Sequence, residues 1–357
     1  MRKENIIIAS RFLSQPITGV QRYSIEMSCG LKAESMNLPI KFVSPNKILH
    51  ADIAAFLDVE RYGFFNSYLW DQICLLKYLR KNQNPLVINF ANTLPIFYKN
   101  KISVIHDIIF EKYPFSTSFF YRKFYHYIFP IMIKKSKHII TVSEFSKKEL
   151  IKFYGIKESD ISVVYNCVSN KFKRIETKYI DKYILAVSSM AYHKNFPNVI
   201  DAFLKIRTRN IKLLIVGGIN KKIFGRKSFA FIKKIKENCN IKFLGYVKEE
   251  ELIKLYSNAE CLVYSSLYEG FGLPPLEAQA CGCPIIVSNI PVFLEIYQDS
   301  AIYFNPLDIN DIVNKIDLIL GNKNLKIKLI EKGFLNVKKY SCENSVNKFI
   351  NIIKGFV

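Results

Sequence analysis

Two carboxylates, Glu269 and Glu277, bracket the stretch EGFGLPPLE. Upstream, the apolar run Cys261-Leu262-Val263-Tyr264 predicts a buried strand. Downstream, Leu276 to Ala280 predicts a helix. The stretch therefore reads as a strand-end loop that runs into a helix start. Gly270 and Gly272 leave the backbone free to approach a ligand closely. Pro274 and Pro275 suit a first helical turn, where a missing N–H costs little. A helix start carries partial positive charge and free N–H groups, which favour phosphate. Neither glutamate can hold phosphate, but both can accept hydrogen bonds from paired hydroxyls such as those of sugars and riboses. For Glu277 alone, an acid in the first turn is also what the helix dipole favours.

Other candidates sit where strands are expected to end. Ile102 to Ile105 predicts a buried strand that finishes in His106-Asp107, and ligands of open α/β sheets lie beyond the carboxyl ends of strands. His106 is a donor or acceptor in a ligand-facing place, while Asp107 reads as an orienter of local backbone. Gly19 lies in the loop after the first strand, before an amphipathic helix from about Val20 to Leu31; it also serves as an ordinary turn residue. Tyr183 to Ser188 predicts a strand leading into SMAYHKN, where Lys194 stands ahead of a helix from about Pro197 to Arg207. Ile211 to Val216 predicts a strand ending in Gly217-Gly218, a close turn that needs small residues. Lys41 to Ser44 and Ile53 to Asp58 also read as strands.

The string YSSLYEGFGLPPLEAQACGCPIIVSN resembles the signature of the family 4 retaining glycosyltransferases, the E-x7-E motif of a GT-B fold. The elements TGVQRY, HD, TVSEFS, IVGG and SN-x-P extend the resemblance over nearly the whole chain. It implies a nucleotide-sugar donor, with Glu269 on the sugar hydroxyls and Glu277 on the ribose. Backbone amides near Phe271 and Gly272 would face the sugar and diphosphate, with Leu273 beside them in the donor-binding set. Gly19, Gly217 and Gly218 fall in the family's donor loops. His106 matches the histidine beside the donor sugar. Lys194 matches the donor-diphosphate lysine, and a cation suits the charge that builds on a leaving diphosphate. The catalytic set is thus His106, Lys194 and Glu269. No residue stands out as a nucleophile, so the resemblance implies front-face departure, with a diphosphate oxygen taking the acceptor proton. No DxD motif fits a cleft position, and neither a catalytic metal nor another cofactor is expected. The chain departs from the family pattern in three places. TGVQRY has one glycine rather than two. Ser189 and His193 stand where the family often adds an arginine. Cys167 replaces the glycine of a PNGV turn, so that turn must differ or carry strain.

The chain has 357 residues, half of them hydrophobic, enough for two cores. Its formal net charge is +22. Residues 1–170 carry 23 Lys+Arg against 13 Asp+Glu, and residues 171–357 carry 29 against 17, so the excess is spread over both halves. Such a chain is attracted to polyanions, anionic lipid or nucleic acid. No RNP, zinc-knuckle or helix-turn-helix pattern supports nucleic acid. From Lys112 to Lys137 there are six Lys+Arg and no acid, interleaved with aromatics at helical spacing. That pattern suits either an interfacial helix on lipid or a core-facing helix with a solvated basic face, and Pro130 should break or kink it. The eight cysteines are scattered without zinc-ligand spacing and read as reduced thiols. MRKENIIIAS has too short an apolar run for a signal peptide, and no run is long enough to span a membrane.

The fold expected is α/β: a GT-B architecture of two Rossmann-like parallel-sheet domains facing a central cleft. Residues 1–170 would form the acceptor-side domain and 171–340 the nucleotide-sugar domain. Residues 341–357 would form a helix crossing back to the first, and Asn170 to Lys182 the linker. The function expected is retaining transfer of a hexose from a nucleotide-diphosphate sugar to a saccharide acceptor that is lipid-linked, in bacterial O-antigen or capsule synthesis. The TGVQRY and HD elements favour GDP-mannose. The location expected is cytoplasmic, at the inner face of the membrane. A GT-B transferase with a soluble acceptor is the nearest alternative. A basic nucleic-acid-binding protein and a lectin-like module are the remote ones.

Overall fold

The computed structural model describes residues 6–34, 38–176, 181–208, 210–218 and 238–356. Residues 177–180 of the expected linker lie outside that set. The chain forms two compact units. The first comprises Met1–Ile108, Lys123–Cys167 and Tyr340–Val357; the second comprises Ile109–Arg122 and Val168–Lys339. The first domain is therefore not the contiguous 1–170 read from sequence. Ile109–Arg122 belongs to the second unit, held there by long-range contacts that local patterning does not encode. The Tyr113 hydroxyl donates to the Leu267 carbonyl at 3.2 Å, and the His193 backbone N–H donates to Ser116 Oγ at 3.2 Å.

The first unit is built on a seven-stranded parallel sheet: β1 (Ile6–Ala9), β2 (Ile40–Ser44), β3 (Glu60–Arg61), β4 (Leu86–Asn89), β5 (Lys101–Val104), β6 (His138–Thr141) and β7 (Ile161–Val163). Their order is β3-β2-β1-β4-β5-β6-β7. β1, β4, β5 and β6 are buried throughout, as apolar runs covered on both faces should be. Strand order reverses between β1 and β4, the position at whose carboxyl edge open α/β sheets place their ligands. Ile53 to Asp58 is not a strand. It lies in the helix Ala51–Leu57, which buries Ala54 and Leu57, three residues apart on one helical face. The helix Phe119–Lys135 runs through Pro130 without a break. Ser143 caps the helix Glu144–Tyr154, its side chain accepting from the Ser146 N–H. The helix Cys342–Lys354 belongs to this unit, with the Phe349 ring tilted against that of Phe90 at 5.1 Å between centres.

The cysteines are not all reduced. Cys167 and Cys342 form a disulfide across a sequence separation of 175 residues. Both flank points where the chain leaves and re-enters the first unit, a proximity that spacing in the sequence cannot reveal. Cys167 is not among the residues with positive φ, so the turn differs from a glycine turn rather than carrying strain.

The second unit is built on a six-stranded parallel sheet: β8 (Tyr183–Val187), β9 (Lys212–Val216), β10 (Ile241–Gly245), β11 (Cys261–Tyr264), β12 (Ile285–Ser288) and β13 (Ile302–Phe304). The order is β10-β9-β8-β11-β12-β13, with reversal between β8 and β11. The core runs through Ile184, Leu213, Val263 and Ile286 on the strands to Ile200, Ile312 and Ile316 on the helices. This reversal sets the loop after β8 beside the loop after β11.

Candidate active site

Lys194 comes from the first of those loops and Glu269 from the second. Tyr192–Lys194 forms one 3-10 turn, and Asn195 ends it in the left-handed region at φ 54°. The Asn195 side chain donates to the Pro306 carbonyl at 2.7 Å, which holds that conformation. Ser265 Oγ donates to the Lys194 carbonyl at 2.8 Å and ties the two loops together. Lys194 Nζ then forms an ion pair with Glu269 Oε1. The same oxygen accepts from Tyr264 Oη at 2.8 Å and Ser266 Oγ at 2.7 Å. Among the described residues none donates to Oε2. Lys194 Nζ also donates to Tyr264 Oη at 3.3 Å and lies 5.5 Å from the centre of its ring. The Lys194 and Glu269 side chains are 11% and 13% exposed, so the pair is largely screened from water but open at one side.

Burial alone would push the Glu269 carboxyl up. The Lys194 charge, with the hydrogen bonds from Lys194 and Ser266, outweighs it and holds the group below its ordinary value. Burial and then Glu269 push the Tyr264 phenol well above its own. At neutral pH the cluster is an ionised, acceptor-only carboxylate surrounded by donors. A cavity of about 10 Å³ bounded by Ser188, Lys194, Tyr264 and Ser265 lies beneath. It has room for one water and not for a sugar. His193, next to Lys194, is 9% exposed and its Nδ1 has no hydrogen-bond partner among the described residues. Burial and then Lys194 push this imidazole down to about 3, so it is neutral.

The other donor-loop candidates divide by what surrounds them. Gly272 precedes the helix Leu273–Ala280 at φ 103°, and a Cβ there would fall 2.7 Å from both Phe293 and the Tyr297 hydroxyl. Only glycine fits that helix start. Phe271 and Leu273 are buried, 3% and 5% exposed. Glu277 is 4% exposed and accepts from Tyr256 Oη at 3.4 Å. Gly217 is explained by packing: a Cβ would lie 1.7 Å from the Ser188 carbonyl oxygen. Gly218 is exposed, and a Cβ there would meet nothing.

In the first unit, His106 follows β5 and is 6% exposed. Its Nε2 lies 2.7 Å from the Phe90 carbonyl, which can only accept, so Nε2 carries the proton. Burial pushes the imidazole down to about 4. A neutral ring with Nε2–H presents Nδ1 as an acceptor, and no described residue donates to it. The Tyr23 ring stands edge-on, 5.0 Å away, and Ser146 Oγ donates to the His106 carbonyl at 3.1 Å. Gly19 is exposed at the first position of the helix Gly19–Glu34.

Two groups escaped the sequence reading. Tyr264 and Ser266 converge on Glu269; the signal was present in their positions five and three residues before it. Arg11 and Asp71 form a buried pair, and each was conspicuous as a lone charge within an apolar stretch. Burial pushes the Asp71 carboxyl up to about 6, with Arg11 opposing it. Among the described residues no group of three or more His, Cys, Asp and Glu is placed to hold a metal ion.

Two doubly wound parallel-sheet units, one with a Lys–Glu pair at its strand-order reversal, define the GT-B fold. Residues 17–172 match Glycosyltransferase Family 4, and residues 169–335 match Glycosyl transferases group 1. The O-antigen chain mannosyltransferase RfbU of Salmonella typhimurium is 36% identical over 242 residues, covering 68% of this chain and 67% of that one. O-antigen chain mannosyltransferase B of Escherichia coli is 27% identical over 98% of this chain and 99% of its own. Among solved structures, Anabaena Alr3699/HepE in complex with UDP and glucose superposes with a TM-score of 0.79 at 13% identity, over 99% of this chain and 100% of that one. The chain belongs to glycosyltransferase family 4 and is an enzyme.

Proposed function

We propose that the protein transfers mannose, with retention, from GDP-mannose to a hydroxyl of a lipid-linked saccharide in O-antigen or capsule assembly. The observation that carries the reading is the Lys194–Glu269 pair. Glu269 commits one oxygen to Lys194, Tyr264 and Ser266 and offers the other to sugar hydroxyls. A lysine ammonium has three donors; Glu269 and Tyr264 take two, and the third serves a phosphate oxygen. Charge growing on the leaving diphosphate is offset by Lys194 and by the N–H groups that open the helix Leu273–Ala280. Glu277 serves the ribose. His106 offers Nδ1 to a sugar hydroxyl. The diphosphate oxygen takes the acceptor proton on the face it leaves, so the protein needs neither a nucleophile nor a bound metal. The donor assignment is supported by the relatives named as mannosyltransferases.

The enzyme is proposed to work at the inner face of a bacterial membrane. No described helix is long and apolar enough to cross one. Phe119, Phe120 and Tyr127 are 59%, 84% and 63% exposed amid the basic run, which supports a peripheral role. The deciding experiment is a thermal-shift panel of nucleotide sugars. GDP-mannose should raise Tm by mass action and be hydrolysed slowly in water. A shift with UDP-glucose instead would replace the donor, and no shift with any nucleotide sugar would remove the reading.

A further inference from the structure

The loop that holds His106 is itself held by a buried ion pair. Arg11 follows β1 and is 4% exposed; Asp71 is 0% exposed. Arg11 Nε lies 3.0 Å from Asp71 Oδ2. Arg11 Nη2 donates to Thr93 Oγ1 at 2.8 Å, and Thr93 Oγ1 donates to Asp71 Oδ2 at 2.9 Å, which closes a ring of three side chains. The guanidinium lies 4.8 Å from the Tyr68 ring centre. Thr93 sits in the loop after β4, and its carbonyl accepts from the Asn89 side chain. Two other residues of that loop grip His106. The Phe90 carbonyl accepts from Nε2–H at 2.7 Å, and Asn92 Oδ1 accepts from the His106 backbone N–H at 3.2 Å. Asn92 has φ 66°, a left-handed conformation that a non-glycine residue keeps only when its surroundings impose it.

We propose that Arg11, Asp71 and Thr93 are positioning residues that clamp the loop Phe90–Leu94, so that the Phe90 carbonyl fixes His106 with its proton on Nε2 and Nδ1 facing out as an acceptor. This rests on the reading of His106 as a sugar-facing group. A buried ion pair contributes little net stability, because desolvation offsets most of the attraction between the charges. What it supplies is fixed geometry. The guanidinium fork reaches a carboxylate and a hydroxyl at once, in directions a flexible lysine would not hold. The Arg11–Thr93 hydrogen bond also joins the loops after β1 and β4, at the reversal where α/β sheets place their ligands. An imidazole released from the Phe90 carbonyl would exchange between its two tautomers. The Nδ1–H fraction of that population would present N–H where an acceptor is required.

The test uses the full-length enzyme with two variants. Thr93→Val keeps the ion pair and cuts the hydroxyl link to the loop. Arg11→Met with Asp71→Leu removes both charges together, so that neither is left buried and unpaired, the circumstance that unfolds single variants of such pairs. The five histidines are followed by imidazole ¹³C and ¹⁵N NMR, with His106 assigned through His106→Asn. In the parent, His106 should show the Nε2–H tautomer alone. In both variants the tautomers should mix, and kcat should fall on the order of tenfold to a hundredfold with little change in donor KM. A folded variant that keeps the single tautomer overturns the proposal. If the double variant does not fold, Thr93→Val decides alone. Mixed tautomers with undiminished transfer would leave the clamp standing and remove His106 from the transfer step.

Discussion

Lys194 and Glu269, 75 residues apart, meet at one carboxylate oxygen that also takes the hydroxyls of Tyr264 and Ser266. Three donors on Oε1 orient the carboxylate and hold its charge, and its other oxygen keeps its full capacity to accept. The arrangement is a fixed anion with a defined working side, braced by a cation that has a donor to spare.

Glu269→Gln should therefore abolish transfer and leave the fold intact. The amide oxygen can still accept from Lys194, Tyr264 and Ser266, so the fold should hold, with Tm lowered by the charge left unpaired on the largely buried Lys194. The amide nitrogen, a donor, would then stand where sugar hydroxyls need an acceptor. Initial rates with GDP-mannose should fall by far more than tenfold. A variant keeping more than about a tenth of the activity, roughly 1.4 kcal/mol of barrier, would count against the role.

Stability should fall on mild acidification, and His106 should be one cause. Burial lowers its folded-state value from 6.5 to about 4. Between those limits the unfolded chain binds a proton that the folded one does not. The contribution is complete above about 6.5 and is lost as pH falls towards 4. Between pH 7 and pH 5 the loss should be about 2 kcal/mol for this imidazole. Asp71, raised to about 6 by burial, works in the opposite direction between 3.8 and 6. Comparing His106→Asn with the parent cancels that contribution. Urea midpoints at the two pH values should show a shallower decline in the variant; an equal decline in both proteins would place the titration elsewhere.

Chelation should leave transfer largely intact, because Lys194 and the start of the helix Leu273–Ala280 are proposed to carry the diphosphate charge. Rates measured in excess EDTA are expected to stay within about twofold, a barrier change of roughly 0.4 kcal/mol. Complete loss, restored by magnesium or manganese, would reveal a metal in the reaction.

Anionic liposomes should bind the protein in a salt-sensitive way through Lys112 to Lys137. Attraction from this run acts within a Debye length, about 10 Å at 0.1 M salt, and the exposed Phe119, Phe120 and Tyr127 can enter the interface. Replacing Arg122, Lys123, Lys134 and Lys135 with Ser should weaken co-sedimentation more than removing four lysines from the Val168–Lys339 part of the second unit. Equal losses would show the charge to be general basic surface, as its even spread along the chain would suggest.

The sequence by itself carried the two-sheet class, because buried parallel strands leave short apolar runs such as Tyr183–Val187 and Cys261–Tyr264 that need no knowledge of their neighbours. It also pointed to Lys194, Glu269, Gly272 and His106 as candidates, since strand ends, glycines and charged residues can be read locally. One local reading went wrong at Ile53–Asp58, where a short apolar stretch fits strand and helix equally well until its neighbours select the face it buries. Only the tertiary structure joined Lys194 to Glu269, through the adjacency of β8 and β11. It alone put Ile109–Arg122 in the second unit, paired Cys167 with Cys342, and set Arg11 against Asp71. The physical reason is the same in each case. A residue's hydrophobicity fixes whether it is buried, but its partner is fixed by strand order and crossovers, which depend on packing between segments scores of residues apart.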